Sequence, residues 1–211
     1  MSESDGVRRY LDGRRRCAWC GDDPLMIAYH DREWGRPTRD DRLLFEMLCL
    51  EGAQAGLSWS TILKRRLSYR RAYDGFDARK IARYQAKKQA ALMKDPGIIR
   101  NRLKVGAFVS NAAAYLALIR ESGSFGKYLR GFAVGRRRPF GRVPASTPAS
   151  DALSHDLKKR GFRFVGSTIC YAFMQAVGLV DDHYPGCWRS RRADASPRRS
   201  GTRKGGSRAR R

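Results

Sequence analysis

The sequence predicts an all-α domain, on three observations. Apolar residues recur at three- and four-residue steps in segment after segment. Strict alternation of apolar and polar residues is nearly absent, and Gly161-Phe162-Arg163-Phe164-Val165 is too short to found a sheet. Helix-capping side chains and glycines fall at the borders of the apolar segments.

Residues 1–16 mix charge and Gly with little apolar content and are expected to be disordered. The paired aspartates Asp40 and Asp41 suit the start of a helix over about 41–55, which carries Leu43, Leu44, Met47, Leu48 and Leu50. Ser58 caps a second helix with Ile62, Leu63 and Tyr69, and Asp77 a short third with Ile81 on its apolar side; Gly56 and Gly75 punctuate them. The stretch from Lys94 to Lys104 joins one helix to the next through a Pro96-Gly97 turn. Beyond it Val105, Phe108, Val109, Ala112, Leu116 and Ile119 mark one face of a helix over about 101–120, the clearest in the chain. Ser150 opens another through Leu153 and Leu157, with Lys158, Lys159 and Arg160 at its negative end and Gly161 just beyond. A last helix, near 166–178, ends at Gly178. Residues 189–211 form a Ser/Gly/Arg tract too poor in hydrophobics to offset ordering entropy, so disorder is expected there and one domain over 17–188.

A chain of 211 residues fits one domain of ordinary size. No stretch approaches the roughly 18 uncharged apolar residues of a membrane span, and residues 1–16 lack the apolar core of a secretory signal, so no membrane association and a cytoplasmic location are expected. Five cysteines, an odd count, read as thiols or metal ligands rather than a disulfide frame. The formal net charge is +24; the tail from 189, with ten Arg/Lys against one Asp, supplies nine of it and leaves +15 on the rest. Such a charge favours a polyanion through counterion release, nucleic acid ahead of an anionic membrane surface.

Five zinc-type ligands bracket the domain: Cys17, Cys20 and His30 at one end, His183 and Cys187 at the other. A closed structural site needs four, so one is spare; joining the two groups would clip the ends of the domain together. Cys49 and Cys170 fall on apolar helix faces and are assigned to the core, and His155, between Ser154 and Asp156, to solvated surface. Glu51 stands at the end of an apolar helix, an odd place for an acid, and Trp59 follows the Gly56 break. An aromatic that stacks a flipped base beside a carboxylate that accepts from its amine is what a base-specific pocket needs; core packing is the competing reading of Trp59. Tyr29 and Trp34 are candidates for the same wall; either reads equally as core, and so does Trp19. At the Pro96-Gly97 turn, unpaired backbone N–H groups with Arg100, Arg102 and Lys104 offer a phosphate grip.

Taken together, Tyr29-His30-Asp31-Arg32-Glu33-Trp34-Gly35, Leu50-Glu51-Gly52 with Ala55-Gly56-Leu57-Ser58-Trp59, and the stretch from Gly161 to Tyr171 continued by Phe173 to His183 closely resemble type I 3-methyladenine DNA glycosylases, from about Cys17 to Cys187. The resemblance implies a helix-hairpin-helix glycosylase fold with its hairpin at about 92–105, and one structural Zn²⁺ held by Cys17, His30, His183 and Cys187, which leaves Cys20 as the spare thiol. It implies a base pocket of Glu51, Tyr29 and Trp59. The activity implied is hydrolysis of the N-glycosidic bond of 3-methyladenine in alkylated double-stranded DNA, leaving an abasic site. The turn reads Pro96-Gly97-Ile98-Ile99 where related glycosylases commonly show Gly-x-Gly, so a weaker or differently shaped phosphate grip is expected. Leu57 is the candidate wedge for the gap left by the base, and the protein is expected to be a monomer. The reading from another class is a zinc-stabilised DNA-binding protein without turnover.

Overall fold

The computed structural model describes residues 6–136 and 143–190. A hairpin of β1 (Val7–Arg9) and β2 (Arg15–Cys17) leads into α1 (Pro24–Arg32), α2 (Asp41–Gln54), α3 (Trp59–Ala72), the single turn α4 (Ala78–Ile81) and α5 (Ala86–Leu92). Then come α6 (Arg102–Ser122), α7 (Phe125–Leu129), β3 (Gly135–Arg136), α8 (Pro148–Lys159), α9 (Ser167–Ala176) and β4 (Val180–Asp181). The chain is mostly helical; among the described residues the strands pair as β1 with β2, antiparallel, and β3 with β4, parallel.

Helix α2 is the centre, packed by α3, α6, α7 and α9, with α8 on α9 and α4 on α6. The two aspartates at its start act differently. Asp40 accepts from the N–H groups of Arg42 (2.9 Å) and Leu43 (3.2 Å), satisfying two orphan donors of its own helix. Asp41 accepts from Phe125 and Gly126, both at 2.8 Å, and so pins the start of α7 to α2. From Leu44 to Ala53 every residue of α2 is buried, including Glu46 and Glu51, as befits a helix enclosed on all sides.

Ser58 caps α3 through Thr61 N–H and Asp77 caps α4 through Arg79 and Lys80, as their sequence positions predict. The buried stripe of α6 runs through Val105, Phe108, Ala112, Tyr115 and Leu118, while Leu116 and Ile119 lie at its edge, half-buried. This 21-residue helix is long and apolar enough to cross a bilayer; here it packs as a core helix, and its Phe108 ring stacks 4.3 Å from that of Tyr73.

The fold departs from the sequence expectations at three places. The N-terminal segment expected to be disordered forms the β1–β2 hairpin from Val7, with Val7 opposite Cys17; of the tail over 189–211 expected to be disordered, Arg189 and Ser190 are placed, with Ser190 buried, and 191–211 fall outside the described residues. Helix α8 starts two residues earlier than Ser150: Thr147 is its cap, and Ser150 reciprocates by accepting from Thr147 N–H at 2.8 Å. Helix α1, which apolar spacing did not reveal, is started by Asp23 and Pro24, a cap followed by a residue whose missing N–H costs nothing there. At the other end of α8, Gly161 does take the left-handed conformation (φ +89°), with Phe162 N–H on Leu157 O and Gly161 N–H on Lys158 O.

Candidate active site and metal centre

Three helix ends meet around a cavity of about 450 Å³. Tyr29 enters from the last turn of α1, Glu51 from the last turn of α2 and Trp59 from the first residue of α3, with Trp19, Trp34 and Gln54 beside them. The Tyr29 and Trp59 rings stand 5.2 Å apart at 44°, and those of Trp19 and Trp34 4.9 Å apart, edge to face. The three residues that sequence placed in a base pocket are therefore neighbours in one aromatic box, with Trp19 and Trp34 as further walls.

Glu51 is the unusual group in it. The residue is 3% exposed, and its buried Oε2 has no hydrogen-bond partner; nor has the buried Nε1 of Trp59. Burial alone raises its pKa from 4.5 to about 8, because no cation offsets the lost hydration. Burial, then the nearby Glu51 carboxyl, also holds the Tyr29 phenol well above its ordinary value. Arg66 on α3 does not reach Glu51: its guanidinium binds Glu46 (2.6 Å) and Glu33 (2.5 Å). Such a box accepts a flat ring on its aromatic walls and offers it one acceptor and one donor. Positive charge on that ring would restore what Glu51 lacks.

The opposite wall was not legible in the sequence. Asp182, 1% exposed, accepts from Gln175 Nε2 at 2.9 Å and from the Tyr171 hydroxyl, and both Asp182 and Gln175 line the cavity.

Cys17, His30, His183 and Cys187 are all buried, and their donor atoms lie within 4.8 Å of one another. Cys187 Sγ is 3.5 Å from His30 Nε2 and 3.6 Å from His183 Nδ1, and Cys17 Sγ is 3.7 Å from His183 Nδ1. The hydrogen bond from Cys17, with the two imidazoles, pulls the Cys187 thiol well below its ordinary pKa, so the pair holds a thiolate readily. Asp31 accepts from His30 Nδ1 at 2.8 Å, which turns Nε2 toward the sulfurs, and is itself held by the buried Arg16 guanidinium and by Trp188 Nε1 (3.1 Å). Cys20 stays out of the cluster: its sulfur meets the Tyr10 hydroxyl at 3.1 Å and Cys17 O at 3.2 Å. Cys49 and Cys170 are buried in the core and His155 is exposed, as expected.

At the turn between α5 and α6, Pro96, Arg100 and Arg102 are exposed. Gly97 lies so close to α3 that an added Cβ would stand 2.8 Å from Ser68 Cβ. Its N–H binds Asp95 Oδ1 (2.7 Å), and that of Ile99 binds the Tyr69 hydroxyl (3.1 Å), so part of the turn's donor set is already used. Lys104 departs from its expected place on the phosphate surface. It is buried, and its ammonium donates to Ala53 O (2.8 Å) and Ala55 O (2.7 Å), closing the C-terminal end of α2 one turn beyond Glu51. Leu57, 40% exposed, caps the corner between α2 and α3.

The methyladenine glycosylase family profile matches residues 19–190. DNA-3-methyladenine glycosylase 1 of Escherichia coli (strain K12) is 51% identical over 177 residues, 82% of this chain and 95% of the relative. A crystal structure of 3-methyladenine DNA glycosylase I is 52% identical with a TM-score of 0.80, covering 82% of this chain and 98% of the other. A tyrosine-to-phenylalanine variant of 3-methyladenine DNA glycosylase I in complex with 3-methyladenine is 35% identical with a TM-score of 0.80, covering 83% and 97%.

Proposed function

This chain belongs to the methyladenine glycosylase family, and from that membership we propose that it excises 3-methyladenine from alkylated double-stranded DNA. The observation that carries the reading is the orphaned, buried carboxyl of Glu51 inside a box of Tyr29 and Trp59. Alkylation at N3 makes adenine cationic and a good leaving group, so no strong general acid is required. The extruded base stacks on Trp59, with cation–π attraction worth about 2 kcal/mol when desolvated. Its positive charge stabilises the ionised form of Glu51, which accepts from the base's amine edge. A neutral adenine brings no such charge and is left with a carboxyl that stays protonated. The C1′–N9 bond breaks with its electrons going to the base; water adds its oxygen to C1′ and gives up a proton, leaving an abasic site. No lyase step is expected to follow, since among the described residues no lysine lines the cavity.

On the DNA side, the reading makes α5, the Pro96–Gly97 turn and α6 a helix-hairpin-helix element. With the N–H groups of Gly97 and Ile99 committed internally, a phosphate is left to the first turn of α6 and the side chains of Arg100 and Arg102. Leu57 fills the space left by the base. The Arg-rich tail adds sequence-blind affinity. The protein works as a monomer in the cytoplasm, on DNA.

Cys17, His30, His183 and Cys187 are proposed to hold one structural Zn²⁺. Tetrahedral zinc with Zn–S near 2.3 Å and Zn–N near 2.05 Å separates sulfur from nitrogen by about 3.6 Å, and the three S···N separations here run from 3.5 to 3.7 Å. Bound there, the ion would tie the two ends of the domain together.

Single-turnover release of base from methylated duplex, resolved by chromatography, tests the function. Glu51→Gln is expected to slow 3-methyladenine release about 10- to 100-fold, the worth of a hydrogen bond to a charged group, with undamaged duplex bound as before. Unchanged release kinetics would refute the role given to Glu51; no release by the wild type would favour a DNA-binding protein without turnover.

A further inference from the structure

The β1–β2 hairpin precedes Trp19, the first residue of the family match. Its two faces are charged alike but neutralised differently. Arg8 and Arg16, which face each other across the strands, are both paired: Arg8 with Asp22, and Arg16 with Asp12 (2.6 Å) and Asp31 (2.8 Å). Arg9 and Arg15 are the next cross-strand pair; both are exposed, and no carboxylate lies within ion-pair distance of either among the described residues. Like charges directly opposite in a ladder destabilise it, so this pair costs stability unless an anion sits between.

The hairpin is also rigidly placed at the cavity. Gly6 (φ +68°) lines the cavity with Ala18 and Tyr184, and a Cβ on Gly6 would run into the Tyr184 ring. On the far strand Arg15 O accepts from Trp188 N–H at 2.8 Å, and Arg14 stacks over the Trp188 ring. Three residues of strand separate Arg9 from Gly6, about 10 Å. That spans about three phosphates along one DNA strand, which carries one per 3.4 Å of axis.

We propose that the opposed Arg9 and Arg15 of the β1–β2 hairpin grip the DNA phosphate backbone beside the extruded base, a contact supplied from outside the family-matched region. The proposal rests on the glycosylase reading for the position of the duplex. The two guanidiniums present donors to one phosphate from opposite strands. A phosphate between them would offset the like-charge cost of the pair.

The test is the salt dependence of duplex affinity for the full chain carrying Arg9→Gln and Arg15→Gln together. The slope of log Kd against log salt is expected to fall by about one, the yield of one phosphate contact, with affinity at low salt weakened about fivefold to tenfold. Binding of free 3-methyladenine and its release rate from saturating DNA should not change, nor should Tm fall. Arg9→Glu with Arg15→Glu should deepen the loss. An unchanged slope and affinity would overturn the proposal. So would an equal fall on removing two exposed charges elsewhere, with Arg120→Ala in the last turn of α6 and Lys127→Ala on α7. Base release continues in either of those cases; its absence from the wild type would count against the glycosylase reading instead.

Discussion

Glu51 couples the pocket to the stability of the whole chain. Its carboxyl titrates near 8 in the fold against 4.5 ordinarily, so between those values the native state holds a proton that the unfolded chain has lost. Its contribution to stability is complete below about 4.5 and is lost as pH rises toward 8, at about 1.4 kcal/mol per pH unit. Glu51→Gln removes that dependence. Urea titrations of the two proteins should diverge across the window, the variant gaining on the wild type as pH rises; parallel curves would show that the carboxyl is hydrated. Glu51 was legible in sequence because an acid at the end of an apolar helix breaks the pattern. Lys104 was not: a lysine in the first turn of a basic helix reads as surface, and only folding reveals that the carbonyl end of α2 lies against it.

The elements that were readable are those whose caps and periods agree. Asp40, Ser58 and Asp77 sit just ahead of apolar periodic residues, and α2, α3 and α4 start where they say. Helix α1 hid because Leu25, Met26 and Ile27 form a continuous apolar run, although only Met26 of them is buried. Helix α8 was misplaced by two residues because Ser150 and Thr147 are equally good caps and the structure uses both. The hairpin was invisible because its stability comes from Arg16 reaching Asp31 and from Tyr10 under Arg8 and Arg16, not from apolar alternation. For α6 the cap is Asn101, whose Oδ1 accepts from Lys104 N–H at 3.0 Å. Asn101→Ala should cost about 1 kcal/mol, lowering Tm by about 2–4 °C and weakening duplex binding while the release rate from saturating DNA holds. Calorimetry and a titration of labelled duplex would check both; a variant as stable as the wild type would remove the cap from the account.

Over the whole molecule, the ligand chemistry at the two ends of the domain was readable, since His and Cys are scarce between them. Which four of the five came together needed either resemblance or coordinates. The exclusion of Cys20 follows from its turn toward Tyr10 and the Cys17 carbonyl. If the cluster holds zinc, binding energy there is folding energy. Removing the ion with a strong chelator should lower Tm by about 10 °C or more, for a loss of several kcal/mol at about 2–4 °C each. Protein that contains no metal by elemental analysis yet melts at the same temperature would dispose of the ion's structural role.

Two of the four donors, Cys17 and His30, leave the ribosome early, and the other two, His183 and Cys187, only at the far end of the domain. A nascent chain therefore has half a chelate until almost everything else has been made, and the ring that closes between His30 and Cys187 encloses nearly the entire helical body. If zinc binds there, its capture would be a final step, open only to chains whose interior has already drawn the ends together, and a polypeptide cut short before Cys187 could never be sealed.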